Sequence, residues 1–226
     1  MVKVRNSIKW QDYALVFILI SDLISLAIGN EIIHALIKPL VVPSIAFYFL
    51  SKEVIKYKAG KYLVMVLMFS WLGDILLIFD SSLHFTLGLF SFLMAHFFYI
   101  LIFSSYTIPF KIRVTHMVAI LFFLVMATFI LQAVWDKTGN LQIPVLIYTI
   151  VISVMGVTAT FNTTENGDYY SLFGALLFII SDALIALNTF HNISLKGFNF
   201  PFLIMLTYMG AQLILVSSVI KQIKTI

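Results

Sequence analysis

Two aspartates stand inside apolar runs. Asp74 lies within Phe69-Ser70-Trp71-Leu72-Gly73-Asp74-Ile75-Leu76-Leu77-Ile78-Phe79, and Asp182 within Phe178-Ile179-Ile180-Ser181-Asp182-Ala183-Leu184-Ile185-Ala186-Leu187. A carboxylate inside a membrane span is costly, and it normally faces a protein interior or a cavity where it acts on a substrate, an ion or a proton. Two carboxylates that share a site can divide the roles of acid and base between them. Other polar groups fall in similar runs: Lys38, followed by Pro39; the pair His96 and Tyr99; and the pair Tyr208 and Gln212. Residues three or four apart share a helical face, so each of these two pairs presents its polar groups together. The expected catalytic residues are Asp74 and Asp182. Lys38, His96, Tyr99, Tyr208 and Gln212 are the expected substrate contacts. Asp22, in Ser21-Asp22, is a further polar residue suited to a hydrogen bond with a neighbouring helix.

Metal chemistry is not expected from this set. The chain has no cysteine, and His34, His84, His96, His116 and His191 form no pair at i,i+4 spacing. A three-histidine zinc site is therefore not visible, and no cofactor is expected.

The elements that must position these groups follow from composition. The chain of 226 residues is 62% hydrophobic and 11% charged, with a mean hydropathy of +1.05. That excludes a soluble domain and predicts an all-α, polytopic transmembrane helical bundle. The pI of about 9.2 does not imply nucleic acid, because the basic residues flank apolar runs and act as topology signals. A span needs roughly 20 apolar residues. Eight fit, at about 12–29, 32–50, 62–79, 85–104, 114–134, 141–160, 169–188 and 200–220, in one domain over 1–226. The runs are long and continuous and do not alternate, so helices are expected rather than a β-barrel. The basic start, Met1 to Trp10, leads into an apolar run like a signal peptide. Asp22 in that run argues for a retained first span.

Lys3, Arg5, Lys9, Lys52, Lys56, Lys58, Lys61, Lys111, Arg113, Lys221 and Lys224 fall on one side of such a bundle, and Lys137 and Lys196 on the other. This bias predicts cytoplasmic N- and C-termini. A short internal similarity links Gly73-Asp74 and Ala95-His96 to Ser181-Asp182 and Ala211-Gln212. It suggests a parallel repeat of two four-helix halves, as found in transporters. At a rise of ~1.5 Å per residue, Asp74 lies ~18 Å and Asp182 ~20 Å into their spans from the inner side. Lys38 and Tyr208 sit ~10 Å below the outer end, so the polar groups share one slab.

Taken together, these motifs resemble the YhhN family of lysoplasmalogenase-like membrane proteins. The resemblance is carried by Lys38-Pro39, Gly73-Asp74-Ile75-Leu76-Leu77, Ala95-His96-Phe97-Phe98-Tyr99, Ser181-Asp182-Ala183-Leu184-Ile185-Ala186 and Tyr208-Met209-Gly210-Ala211-Gln212. It implies an intramembrane hydrolase that cleaves the vinyl ether bond of lysoplasmalogens, giving a fatty aldehyde and glycerophosphoethanolamine or glycerophosphocholine. The expected partners are a lysophospholipid-like amphiphile and the lipid bilayer, with no nucleic acid. The expected location is a bacterial cell (inner) membrane. Protonation of the β-carbon of a vinyl ether gives an oxocarbenium ion to which water adds, much as in glycoside hydrolysis. One aspartate would be the acid and the other the stabiliser and base. The rival expectation is a proton-coupled transporter or flippase of a small amphiphile.

Overall fold

The computed structural model describes residues 10–106, 112–191 and 199–225. Lys3, Arg5, Lys9, Pro109, Lys111, Lys196 and the His191 side chain lie outside this description. Among the described residues eight helices follow one another: α1 Trp10–Ala27, α2 Glu31–Leu50, α3 Lys58–Leu76, α4 Ser82–Tyr106, α5 Val114–Val134, α6 Gln142–Asn166, α7 Tyr169–His191 and α8 Phe200–Thr225. Two short 3-10 turns, Trp135–Lys137 and Gly139–Leu141, join α5 to α6. All eight helices are long and apolar enough to cross a bilayer. The chain is a multi-pass, all-helical membrane protein.

Two helices run further than the sequence suggests. α6 continues to Asn166, through the segment expected to be a loop, and ends where Gly167 takes a left-handed φ of 69°. Glycine adopts that conformation without the steric cost other residues meet, and so it closes helices. The polar side chains of this last turn are hydrogen-bonded internally. Asn162 Nδ2 donates to Ser171 Oγ at 2.8 Å, and Asn166 Nδ2 to Asn162 Oδ1 at 2.7 Å. α8 likewise continues to Thr225, because Ser218 and Gln222 both donate to Asp168 Oδ2 in the α6–α7 connection.

α3 packs along α4 and α7 along α8, while α8 also touches α1, α2 and α3. Most of the buried apolar side chains form one contiguous cluster. α5 stands at the edge, held to α6 where the Phe123 ring covers Gly156; a Cβ there would come 2.4 Å from the ring. The other faces of α5, including Leu121, Leu124 and Phe129, are exposed, as suits a helix in contact with lipid.

Helix α2 contains Pro39 and Pro43. Pro43 has no N–H, so the Pro39 carbonyl, its natural acceptor one turn earlier, loses its helical partner. The Trp71 indole N–H of α3 donates to that carbonyl at 2.9 Å. A free carbonyl in an apolar medium costs several kcal/mol, roughly, so the cross-helix bond satisfies a real need and fixes α2 against α3.

Candidate functional site

Among the described residues, Asp182 and Asp74 each stand in a connected group of polar side chains. The first unites α4, α6 and α7. His96 Nε2 lies 2.9 Å from the Tyr148 hydroxyl and 3.0 Å from Asp182 Oδ2. The Tyr148 hydroxyl donates to the same oxygen of Asp182. The second group unites α3, α4 and α8. The Tyr208 hydroxyl donates to Asp74 Oδ2 at 2.9 Å. Gln212 Nε2 donates to Ser70 Oγ at 2.9 Å, and Gln212 Oε1 accepts from the Tyr99 hydroxyl at 3.1 Å. Helix α4 serves both groups, one through His96 and the other through Tyr99, three residues on.

Aromatic rings lie between the two groups. The Phe178 ring is 4.6 Å from the His96 ring and 5.5 Å from the Tyr208 ring, centroid to centroid. Phe92 meets Tyr208 edge-on at 5.9 Å and Phe178 at 6.5 Å. Phe92 can lie here because residue 73 is glycine, where a Cβ would come 2.6 Å from the Phe92 ring. Each aspartate is thus held by its own tyrosine. Tyr208 reaches Asp74 from α8 to α3, and Tyr148 reaches Asp182 from α6 to α7, with His96 of α4 on the same oxygen.

Two cavities adjoin these groups. The first is narrow, about 60 Å³, and lies among α4, α5, α6 and α7. Its wall is apolar except at Asp182, Tyr148 and Thr149. The Thr149 hydroxyl donates to the Val145 carbonyl of its own helix, which leaves Tyr148 and Asp182 as the chemically available groups. The second cavity is a vestibule of about 790 Å³ at the end of the bundle where α1 turns into α2. Glu31, His34, Lys38 and Asp80 line it. Leu77, Phe85, Ile185 and Phe190 belong to both walls, so the vestibule and the narrow cavity adjoin.

The residues singled out from the sequence therefore occupy different positions. Asp182 lines the narrow cavity and Lys38 lines the vestibule. His96, Tyr99, Tyr208 and Gln212, expected as substrate contacts, are buried and bonded to one another or to the aspartates, and line neither cavity. Asp74 is also buried, at 2% exposure, and lines neither cavity. Lys38 is close enough to Asp74 for their charges to interact. It makes no ion pair within 4 Å among the described residues. Asp22 is fully buried on α1 and meets His34 Nδ1 of α2 at 2.9 Å, the inter-helix bond expected of it.

Tyr148, Ser70 and His34 were not singled out from the sequence. Ser70 precedes Asp74 by four residues and His34 precedes Lys38 by four, so helical spacing held that signal. Tyr148 is a lone tyrosine in an apolar span and carries no such mark. Among the described residues, no group of three or more His, Cys, Asp or Glu side chains comes together to hold a metal ion.

The opposite end of the bundle carries a separate polar knot. Asp168 Oδ2 accepts from Ser218, from Gln222 Nε2 at 2.8 Å and from Ser171 Oγ at 3.2 Å, and Lys221 Nζ lies 3.5 Å from Oδ1. Burial alone would push this carboxyl up. The hydrogen bonds from Ser218 and Gln222 and the charge of Lys221 outweigh burial and hold it below the ordinary carboxylate range. Arg113 reaches Glu165 at 3.4 Å on the same end.

No curated protein and no solved structure is similar enough to the chain to register as a match. A family model does match, over residues 33–219, which takes in every helix of the two polar groups and both cavities except α1. On that match the chain belongs to the YhhN family.

Proposed function

We propose that the protein hydrolyses the vinyl ether bond of a lysoplasmalogen-like lipid. The products would be a fatty aldehyde and a glycerophosphoethanolamine or glycerophosphocholine. The observation that carries this reading is the position of Asp182. It stands with Tyr148 on the wall of a narrow apolar cavity that adjoins a wide vestibule holding Lys38. A single-chain lipid has matching parts. Its head group suits the vestibule, the first carbons of its chain suit the narrow cavity, and its vinyl ether lies where the two meet.

The chemistry needs an acid on the hydrocarbon side, because the proton goes to the β-carbon. In the proposed sequence the Asp182 carboxyl gives its proton to that carbon, and the α-carbon becomes an oxocarbenium ion. The resulting carboxylate stands against the cation and takes a proton from the water that adds to the α-carbon. The hemiacetal then breaks its bond to the glycerol oxygen as its hydroxyl proton passes to that oxygen, and aldehyde and alcohol leave with Asp182 again protonated. Tyr148 and His96 hold Asp182 Oδ2 and fix the direction of the carboxyl. Asp74 contacts neither cavity, so its part is electrostatic: a second acidic group, held by Tyr208 and close enough to Asp182 for their charges to interact. Lys38 binds the phosphate as a point charge. With the orientation set by the Lys and Arg bias, the vestibule opens on the non-cytoplasmic side of a bacterial cell membrane.

The test is aldehyde release from lysoplasmenylethanolamine by the purified protein in detergent, beside the Asp182→Asn variant. Release by the wild type alone supports the reading. Release by both discards Asp182 as the reacting group. No release by folded wild type, together with gradient-driven movement of the intact lipid in vesicles, identifies a transporter.

A further inference from the structure

We infer that His34 and Lys38 form a subsite for the phosphate ester of the amphiphile, and that the buried Asp22 holds His34 in it; this rests on the substrate reading above. His34 and Lys38 are four residues apart on α2, so they share one face about 6 Å apart along the helix. Both line the vestibule. Asp22 Oδ1 accepts from His34 Nδ1 at 2.9 Å, from a carboxylate that is itself 0% exposed. The ring edge that bears Nε2 is then the one left for the vestibule. When the ring carries a second proton, Nε2 becomes a donor and Asp22 is the counter-ion to the imidazolium. Lys38 brings three further donors and has no ion-pair partner within 4 Å among the described residues.

The other charges facing the vestibule fit the same ligand. Glu31 and Asp80 line it as well. Glu31 opens α2 seven residues before Lys38, which puts it about 10 Å nearer the helix end. Glu31 thus stands nearer the helix end than His34 and Lys38, and Asp80 lies in the exposed turn after α3. A head group whose phosphate points inward and whose ammonium points outward meets opposite charges at both positions. Asp22 acts through His34, so it is a positioning residue.

The experiment compares two ligands that lack a vinyl ether: a saturated 1-O-alkyl lysophosphoethanolamine and the 1-O-alkylglycerol of the same chain length. Binding to the purified full-length protein is measured in a maltoside detergent, which carries no phosphate. The wild type is expected to prefer the phosphate-bearing ligand by roughly tenfold or more, about 1.4 kcal/mol. Lys38→Met and His34→Gln are expected to abolish most of that preference, and Asp22→Asn part of it. Affinity for the alkylglycerol, which has no phosphate, should stay at the wild-type value and so reports that each variant is folded. A preference that survives both Lys38→Met and His34→Gln overturns the subsite, as does its absence from the wild type. Inorganic phosphate at the concentration of the lipid should leave the preference intact; loss of it would mean that the site takes the free anion and not a lipid head. Neither ligand can be cleaved, so failure of the hydrolysis reading would leave these outcomes readable.

Discussion

The hydroxyl of Tyr148 and the ring of His96 converge on one oxygen of Asp182, from helices α6 and α4. Three helices therefore fix the direction of a single carboxyl against an apolar wall. If Asp182 is the acid, Asp182→Asn should lower kcat by roughly 10²–10⁴-fold, the usual contribution of a positioned acid or base. Tyr148→Phe keeps the carboxyl but releases one of its two holders. Its expected loss is smaller, roughly 10–100-fold, the range typical when an orienting partner is removed. Aldehyde release at saturating substrate ranks the two, and Tyr148→Phe more damaging than Asp182→Asn would reverse the assignment.

Asp74 predicts a different pattern, because it meets no cavity. Asp74→Asn should lower kcat with little change in KM, since no contact with bound lipid is lost. Tyr208→Phe leaves Asp74 Oδ2 without its donor, and an unsatisfied buried partner costs about 1–3 kcal/mol. The thermal midpoint of Tyr208→Phe in detergent should therefore fall. An unchanged midpoint would mean that the Tyr208–Asp74 bond contributes nothing to the fold.

Gly73→Ala tests the aromatic wall between the two groups. The new Cβ would come 2.6 Å from the Phe92 ring, so the ring must shift. Phe92 lines the narrow cavity, and movement toward it shortens the space for hydrocarbon. Overpacking of this kind costs about 1–3 kcal/mol. KM should rise, and Gly73→Ala/Phe92→Leu should recover the loss. An unchanged KM in Gly73→Ala would separate Phe92 from the hydrocarbon site.

The fold was legible because eight apolar runs are long enough to span a bilayer and nothing else in the chain competes with them. The ends of α6 and α8 were less so. Polar residues mark a loop only when water satisfies them, and Asn162, Ser218 and Gln222 are satisfied inside the protein. Within the site, spacing revealed that His96 and Tyr99 share a face. It could not reveal that His96 meets Asp182 while Tyr99 meets Gln212, because that depends on where α7 and α8 lie against α4. Tyr148 was invisible for a related reason: a tyrosine at a lipid interface and one buried against a carboxylate look alike in a sequence.

The knot at the opposite end sets an acid limit on stability. Its Asp168 carboxyl is held below the ordinary carboxylate value of 3.8 in the folded protein. A group depressed on folding stabilises the folded state fully above its unfolded value. That contribution is lost as the pH falls from there through the lower folded value. The thermal midpoint of the wild type should thus fall below about pH 4. Asp168→Asn should start lower at neutral pH and show a shallower fall in that window. An acid limb of the same depth in both proteins would assign it to other carboxyls.

Trp71 tests how α2 is held beside the vestibule. Trp71→Phe keeps an aromatic ring toward lipid but orphans the Pro39 carbonyl, which should cost about 1–3 kcal/mol. Pro43→Ala restores the backbone N–H that this carbonyl lacks. In Trp71→Phe/Pro43→Ala the helix can satisfy Pro39 by itself, so the double variant should be more stable than the sum of the single changes implies. The coupling expected of groups that share one partner is roughly 0.5–3 kcal/mol. Thermal midpoints of the four proteins give that coupling directly. Additive effects would show that the indole N–H is not a substitute for the missing helical bond, and that Trp71 holds α2 by packing alone.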